Sequence, residues 1–134
     1  MEKHEYEILR RVEDRHWWYA GLRGMLLQQI RRSGSASGRR LLDIGCGTGA
    51  NMAMLGREFR VTGIDFAAEA IAESERRDLS RLARASCAAL PFRDESFDTA
   101  IMMDVLYHKG VPDKVGALRE ARRVLKPGGS LYLN

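Results

Sequence analysis

The sequence predicts an α/β fold in which a parallel sheet carries helices on both faces and is preceded by N-terminal helices. Two observations support this prediction: apolar strand-like segments alternate with helical segments after Arg39, and the first of these strands runs into a glycine-rich turn. Strands separated by helices are joined by right-handed crossovers and therefore lie parallel. Because ligands of such sheets bind at the carboxyl ends of the strands, functional residues are expected just after each strand.

Residues 1–32 are predicted to be helical. Their apolar side chains recur with helical spacing and form a stripe that we expect to pack in the core; the stripe comprises Trp18, Leu22, Met25, Leu26 and Ile30. Residues 33–38 contain only Ser, Gly and Ala and predict a flexible linker. The chain is therefore divided into an N-terminal helical segment with its linker, residues 1–38, and a sheet domain, residues 39–134.

The sheet domain is predicted to hold five strands and three helices. The strands are expected at residues 41–44, 60–65, 82–86, 97–103 and 130–134, and the helices at residues 50–58, 67–77 and 113–125. The last helix is predicted to bury one face, comprising Val115, Leu118, Ala121 and Leu125. It is expected to stop at residues 126–129, Lys-Pro-Gly-Gly, because proline and glycine after a basic last turn end helices.

Length and composition exclude several classes of protein. The chain has 134 residues, 45% of them hydrophobic and 30% charged, which is typical of one globular domain and not of a disordered tail. No run approaches the ~20 apolar residues that span a bilayer, and from the charged start we expect no secretory signal. Cys46 and Cys87 can form no disulfide scaffold and lack metal-ligand spacing. We therefore expect a cytoplasmic protein with no metal site and no membrane partner.

The net charge of +4 lies entirely in residues 1–40. A basic segment of this size fits an anionic small ligand, an acidic surface, or only a solvated helical face. No nucleic-acid partner is expected.

The strongest functional signal is the glycine loop that follows the first predicted strand. Gly45, Gly47 and Gly49 stand at the spacing G-x-G-x-G, and Ala50 lies where a dinucleotide-binding loop carries its third small residue. Such glycines allow a sharp turn and a close approach of a ligand, and the next helix points its N–H groups at that ligand. The loop alone therefore admits both a dinucleotide and another nucleoside-containing cofactor.

Two carboxylates near the glycine loop indicate which chemical groups its ligand carries. Asp43 lies inside the first strand, two residues before Gly45, where a buried carboxylate needs a cationic or hydrogen-donating partner such as a ligand ammonium group. Asp65 ends the second strand, 20 residues after Gly45, where an acidic side chain can accept hydrogen bonds from both ribose hydroxyls. The alternative for Asp65 is a capping role at the start of the next helix.

Four motifs occur in order: Leu-Asp-Ile-Gly-Cys-Gly-Thr-Gly at residues 42–49, Gly-Ile-Asp at 63–65, Leu-Pro-Phe with Ser-Phe-Asp between 90 and 98, and Arg-Val-Leu-Lys-Pro-Gly-Gly at 123–129. Together they resemble the class I S-adenosylmethionine-dependent methyltransferases, and most of all their type 11 group. The resemblance covers about residues 40–134 and implies a Rossmann-like sheet. It implies that residues 39–134 are the S-adenosylmethionine-binding methyltransferase domain and that the N-terminal helices are a lid over the cofactor.

The resemblance implies roles on the methionine side of the cofactor. The residues expected to line its methionine and ribose part are Gly45, Cys46, Gly47 and Gly49. Asp43 is expected to organise the ammonium group through water, and Met103, at the end of the fourth strand, is expected to lie near the sulfonium.

The resemblance also implies roles on the adenosine side. Asp65 would bind the ribose hydroxyls, and Phe66 would lie along the adenine. The adenine edge would meet Ser86, Cys87 and Ala88. Ser86 stands where the family usually carries an aspartate, so this chain departs from the pattern there and its recognition of adenine is expected to be looser.

A sulfonium methyl group is already activated, so its transfer needs mainly positioning and a dry pocket. His108, just past the fourth strand, is the candidate general base, with loop packing as the alternative. Trp17, Tyr19 and Arg23 are candidates for the lid, with helix packing as the alternative. The expected function is methyl transfer to a small-molecule acceptor; the alternatives are a non-catalytic cofactor-binding or dimerisation module and an NAD-dependent oxidoreductase.

The resemblance also implies elements that follow the fifth strand in the full methyltransferase fold. The chain is expected to lack the antiparallel strand pair that covers this strand and completes the acceptor site. A bare edge strand tends to pair with another chain, so we expect a homodimer through residues 130–134 or through the aromatic N-terminal helices. Light scattering of the parent and of Leu131→Lys and Trp17→Ala variants distinguishes these contacts.

Overall fold

A computed structural model describes residues 1–34 and 39–134. The helices are α1 (Lys3–Glu13), α2 (Trp17–Arg32), α3 (Ala50–Leu55), α4 (Ala68–Glu75) and α5 (Lys114–Val124). The strands are β1 (Arg40–Ile44), β2 (Arg60–Asp65), β3 (Leu82–Arg84), β4 (Phe97–Met102) and β5 (Leu125–Leu133). The predicted order of elements is confirmed. The three helices of the sheet domain, β3 and β4 are one to three residues shorter than expected, whereas β1 and β5 are longer.

The five strands form one parallel sheet in the order β3-β2-β1-β4-β5. In the central register, Leu41 of β1 lies between Val61 of β2 and Thr99 of β4. The chain moves outward from β1 to β3 and then returns to place β4 on the other side of β1. This reversal places a crevice at the carboxyl ends of β1 and β4, where ligands of such sheets bind.

Both faces of the sheet are covered, as predicted. Alternate side chains of β1 point to opposite faces: Leu42 packs in the core on the α5 side, and Leu41 packs in the core that contains Leu26 and Ile30 of α2. Because α2 shares this second core with the sheet, the N-terminal segment is packed onto the domain. Residues 35–38 of the predicted linker lie outside the described residues.

The predicted stripe on α2 is only half right. Leu26 and Ile30 are buried, but Trp18 and Met25 are 54% and 64% exposed. The N-terminal helices are interrupted after α1, and His16 caps α2 by accepting a 3.3 Å hydrogen bond from the Trp18 backbone N–H. The helix therefore contacts the sheet mainly through its second half, and its aromatic start is left at the surface.

The predicted inner face of α5 is also wrong in part. Val115 and Leu118 are exposed, and the helix buries Ala117, Ala121 and Val124 instead. These buried positions follow the same helical spacing, and two of them are alanines. Small side chains let the helix axis approach the sheet closely. The sequence prediction selected large apolar residues for the buried face and therefore overlooked the alanines.

The segment 126–129 follows the end of α5 but belongs to β5, which starts five residues earlier than predicted. Phe97 of β4 pairs with Leu125, and Thr99 pairs with Ser130, so the intervening Lys-Pro-Gly-Gly forms an irregularity within the strand. Gly128 takes a left-handed conformation there, with φ of 79°.

Within residues 1–34 and 39–134, no helix has the length and apolarity needed to cross a bilayer.

Candidate cofactor-binding site

The glycine loop, residues 45–49, turns the chain from β1 into α3 at the crevice. Gly45 and Gly49 both have φ of 79°, and a Cβ at either position would collide with its surroundings. At Gly45 it would overlap the side chain of Val105, and at Gly49 it would lie 2.5 Å from Leu79 Cδ1. These two glycines are therefore required by the packing of the protein itself.

Gly47 differs from its two neighbours. It also has a left-handed conformation, with φ of 55°, but no described atom lies within 4 Å of the position that a Cβ would take. The open side of the loop is thus at Gly47, and a ligand can approach the backbone there. Packing explains Gly45 and Gly49, whereas Gly47 forms a cradle that a side chain would fill.

Asp43 lies beneath the loop with 1% of its surface exposed. No group among the described residues hydrogen-bonds its Oδ2 atom. Burial raises the pKa of this carboxyl to about 7, and the charge of Asp65 adds to the effect. A buried carboxylate oxygen without a partner is costly, and a cationic ligand group would supply the missing partner.

Asp65 ends β2 and its carboxylate holds two backbone segments. Its Oδ2 accepts a hydrogen bond from the Gly47 N–H at 2.9 Å, and its Oδ1 accepts one from the Ala67 N–H at 2.9 Å. The N-cap of α4 is Ala67, which has no side-chain cap, so the capping role considered for Asp65 is wrong. The contact with Ala67 instead closes the turn before the helix, and the contact with Gly47 ties Asp65 to the glycine loop. A carboxylate has about four acceptor positions, so two remain for ribose hydroxyls.

The candidates for the adenine side lie after β2 and β3. Phe66 is 70% exposed, with the Arg84 guanidinium 5.8 Å from its ring centroid. The Ser86 hydroxyl accepts a 3.2 Å hydrogen bond from the Ala88 N–H and therefore helps to form the turn after β3. Cys87 is half-buried, and burial raises the pKa of its thiol, with a smaller contribution from the charge of Asp65.

Cys46 and Met103 flank the crevice. Cys46 is buried, and burial, followed by the charges of Asp43 and Asp65, raises the pKa of its thiol. This thiol is a packing group, because a nucleophilic cysteine needs a lowered pKa. Met103 immediately follows β4 and packs against the core that contains Leu41 and Met52.

His108 lies on the exposed loop after β4. Its ring lies 6.2 Å from that of Tyr107, and no hydrogen bond to its imidazole is found among the described residues. A general base is normally oriented by a second group. Its catalytic role stays a prediction, without an orienting partner in this structure.

Among the lid candidates, Arg23 has a defined contact. It donates a 2.7 Å hydrogen bond to the backbone carbonyl of Glu13 and so ties α2 to the end of α1. Trp17 is 75% exposed, and Tyr19 is half-buried with its ring 5.9 Å from that of His16. The lid role of these residues stays a prediction.

Sequence reasoning missed the polar contacts that hold the loop from behind. The Ser74 hydroxyl donates to the Gly47 carbonyl at 2.9 Å, and the Arg77 Nε donates to the Thr48 carbonyl at 2.7 Å. Glu13 accepts from the Thr48 hydroxyl and, at 2.9 Å, from Arg77 Nη2. These residues come from three distant segments, and no motif spacing connects them.

The type 11 family model, described as a methyltransferase domain, matches residues 42–133. The chain belongs to this methyltransferase family. The match covers the glycine loop, Asp65 and every strand of the sheet. It confirms the family and the Rossmann-like fold predicted from the sequence, and with them S-adenosylmethionine as the cofactor.

Named relatives of this methyltransferase chain agree with the assignment. It is 34% identical over 130 residues to the demethylmenaquinone methyltransferase of Tropheryma whipplei (strain Twist), covering 94% of the chain and 50% of the relative. It is 36% identical over 106 residues to the 27-O-demethylrifamycin SV methyltransferase of Amycolatopsis mediterranei (strain S699), covering 72% and 38%. The chain therefore spans half or less of these curated relatives.

A solved methyltransferase structure is also similar to this chain. A SAM-dependent methyltransferase of Methanosarcina mazei superimposes with a TM-score of 0.69 and 32% identity, covering 78% of this chain and 55% of that one.

The residues of this methyltransferase domain fit S-adenosylmethionine on two observations. The Oδ2 of Asp43, which no group in the described part of the chain hydrogen-bonds, offers a buried acceptor for the ammonium group of the methionine part. The open side of Gly47 leaves room for the ligand against the backbone.

Proposed function

We propose that the chain binds S-adenosylmethionine at the glycine loop and transfers its methyl group to a small-molecule acceptor. The observation that supports this most strongly is the buried Oδ2 of Asp43, which has no hydrogen-bond partner among the described residues, in the strand that leads into the loop with the open Gly47. S-adenosylmethionine carries an ammonium group that can satisfy this oxygen. It also carries a ribose, whose hydroxyls fit the remaining acceptor positions of Asp65.

Asp43 disfavours the NAD-dependent alternative, whereas Asp65 fits the ribose of either cofactor. A dinucleotide places an anionic pyrophosphate against the glycine loop. Here the buried carboxyl of Asp43 lies two residues before Gly45, and Asp65 Oδ2 already accepts from the Gly47 N–H. A carboxylate attracts an ammonium group and repels a pyrophosphate, so the amino-acid end of S-adenosylmethionine fits better beside Asp43.

The bound cofactor supplies an activated methyl group, and the chain supplies binding and positioning. In this proposal Asp43 and Asp65 fix the two ends of the ligand, the Gly47 backbone lets it approach, and Met103 lies near the transferred group. Positioning of this kind is the main requirement for in-line transfer.

The acceptor is proposed to be a small aromatic molecule. The two curated relatives are named for demethylmenaquinone and 27-O-demethylrifamycin SV. In this chain Tyr107, which is 70% exposed, follows β4 at the carboxyl end of the sheet, while Phe66 after β2 is assigned to the adenine. Exposed aromatic side chains at a ligand-binding edge suit an apolar ring. A cytoplasmic location and a homodimer stay predictions.

Cofactor affinity is expected to depend on pH through Asp43. Its carboxyl has a pKa of about 7 in the free chain and is therefore neutral at lower pH. An ammonium ligand favours the ionised form of Asp43, so the affinity for S-adenosylhomocysteine should rise with pH. Below pH 7 the affinity should increase by up to roughly tenfold per pH unit, and above it the affinity should level off. Calorimetric titrations between pH 6 and pH 8 measure this slope. An Asp43→Asn variant should bind S-adenosylhomocysteine weakly and with no pH dependence in this range. The same pH dependence in the variant as in the parent would contradict the role of Asp43 as the partner of the ammonium group.

Methyl transfer itself tests the proposed function. The chain is incubated with S-adenosylmethionine labelled on the methyl group and with demethylated naphthoquinols and phenols, with Gly47→Val as the matched inactive control. We expect label in at least one acceptor with the parent and none with the variant. Binding of S-adenosylhomocysteine without transfer to any acceptor would favour the non-catalytic cofactor-binding module instead.

A further inference from the structure

The guanidinium of Arg77, just after α4, joins the first helix of the chain to the glycine loop. Its side chain is 12% exposed. Nε donates to the Thr48 carbonyl at 2.7 Å, Nη1 donates to both carboxylate oxygens of Asp14 at 2.9 Å, and Nη2 donates to Glu13 Oε1 at 2.9 Å. All three nitrogens of one side chain are therefore used to connect α1 and its C-terminal cap with the loop.

Thr48 is held at two points from this side. Its carbonyl accepts from Arg77, and its hydroxyl donates to the same Glu13 oxygen that accepts from Arg77. The preceding carbonyl, that of Gly47, accepts from Ser74 at 2.9 Å. Because the intervening peptide is trans, the Thr48 N–H points away from the carbonyl that Ser74 holds. These contacts set the orientation of the loop peptides at the open cradle.

Polar contacts also dominate the attachment of α1. Its only buried residue is Glu13, while Ile8 and Val12 are 56% and 41% exposed. Besides the Arg77 contacts, Arg10 pairs at 2.5 Å with Glu73, whose side chain is 4% exposed. Replacing one partner of such an ion pair leaves the other charge without compensation, so these pairs hold α1 against the domain.

From these contacts we propose that Arg77 is a positioning residue that couples the docking of α1 to the shape of the glycine loop. The inference rests on the proposed binding of S-adenosylmethionine at that loop. When α1 is docked, Arg77 and Glu13 hold Thr48 in the conformation that keeps the cradle open. Because coupling between two events is reciprocal, cofactor binding must in turn stabilise the docked state of α1.

The coupling predicts a loss of affinity when Arg77 is replaced. Arg77→Gln removes the charge that compensates Glu13 and leaves Thr48 incompletely held, so it should weaken S-adenosylhomocysteine binding by tenfold or more. The matched control is Arg76→Gln. Arg76 is the neighbouring arginine, is 54% exposed and, among the described residues, forms an ion pair only with Glu73, at 3.5 Å, so its replacement should change the affinity less than about twofold.

Hydrogen exchange along α1 gives a readout that a merely structural role would not change. In the parent and in Arg76→Gln, S-adenosylhomocysteine should slow exchange of the backbone amides of residues 3–13. In Arg77→Gln, saturating S-adenosylhomocysteine should leave exchange of these amides unchanged. The measurement on the parent remains a test even if Arg77→Gln fails to fold. If S-adenosylhomocysteine does not slow exchange of the α1 amides in the parent, the coupling is overturned.

The outcomes separate this inference from the proposed function. If the parent does not bind S-adenosylhomocysteine, both are overturned. If the parent binds and a folded Arg77→Gln variant binds equally tightly, or keeps its protection of α1, the proposed function stands and the coupling is overturned.

Discussion

Replacing Gly47 with valine is expected to abolish S-adenosylhomocysteine binding while the sheet stays folded. A Cβ at this position meets no described atom within 4 Å, so the new side chain would project into the space proposed for the ligand. The loss should exceed roughly 100-fold in affinity, because filling a cradle with a branched side chain excludes the ligand sterically. Calorimetric titration measures the affinity, and a circular dichroism spectrum like that of the parent shows that the fold is kept.

Backbone strain is controlled with Gly128→Val. Gly128 lies in β5, also has a left-handed conformation with φ of 79°, and also has open space around its Cβ position. A branched residue in this conformation costs about 1–2 kcal/mol at either site, but only Gly47 belongs to the glycine loop. Gly128→Val should therefore lose stability and keep its affinity. Undiminished binding by Gly47→Val would show that the loop does not cradle the cofactor.

Replacing Asp65 with alanine is expected to weaken S-adenosylhomocysteine binding by roughly 10- to 150-fold. The substitution removes charge-assisted hydrogen bonds to two ribose hydroxyls, which contribute about 1.5–3 kcal/mol. It also removes the acceptor of the Gly47 N–H, so the loop loses one of its own fixed contacts. Both effects lower the affinity, and calorimetric titration of the folded variant measures their sum.

Asp65→Asn separates the two roles of this residue. The amide keeps the size of the side chain and one acceptor oxygen, which can still accept from the Ala67 N–H that the carboxylate binds at 2.9 Å. We expect its thermal stability to be close to that of the parent and its affinity to fall between those of the parent and Asp65→Ala. A stability loss in Asp65→Ala without any change in affinity would leave Asp65 with a structural role only, in holding the turn before α4 and the glycine loop.

Features carried by local sequence were predictable. The glycine loop, the strand before it and Asp65 at the end of β2 lie within a short stretch of chain, and each has a direct physical reason for its residue type. The parallel sheet followed from the alternation of strands and helices, because right-handed crossovers leave few other arrangements. The burial of Asp43 was also predictable, because it lies inside an apolar strand. The structure adds that its Oδ2 has no hydrogen-bond partner among the described residues.

Features that depend on tertiary contacts were not predictable. Glu13 and Arg77 are 64 residues apart in the chain, and either could equally have been a solvated surface charge. The face that α5 buries depends on how closely its alanines let it approach the sheet, which large apolar residues such as Val115 and Leu118 obscured. Trp18 fitted an apolar stripe but lies in the exposed first turn of α2. In each case the deciding partner comes from a distant part of the sequence.

The central claim is that the glycine loop with its two carboxylates recognises S-adenosylmethionine and not a dinucleotide. Side-by-side calorimetric titration of the chain with S-adenosylhomocysteine and with NAD, at pH 8 so that Asp43 is ionised, tests it most directly. We predict saturable binding of S-adenosylhomocysteine at one site and no measurable heat with NAD at the same concentrations. Binding of NAD with equal or greater affinity, or of neither ligand, would contradict the claim.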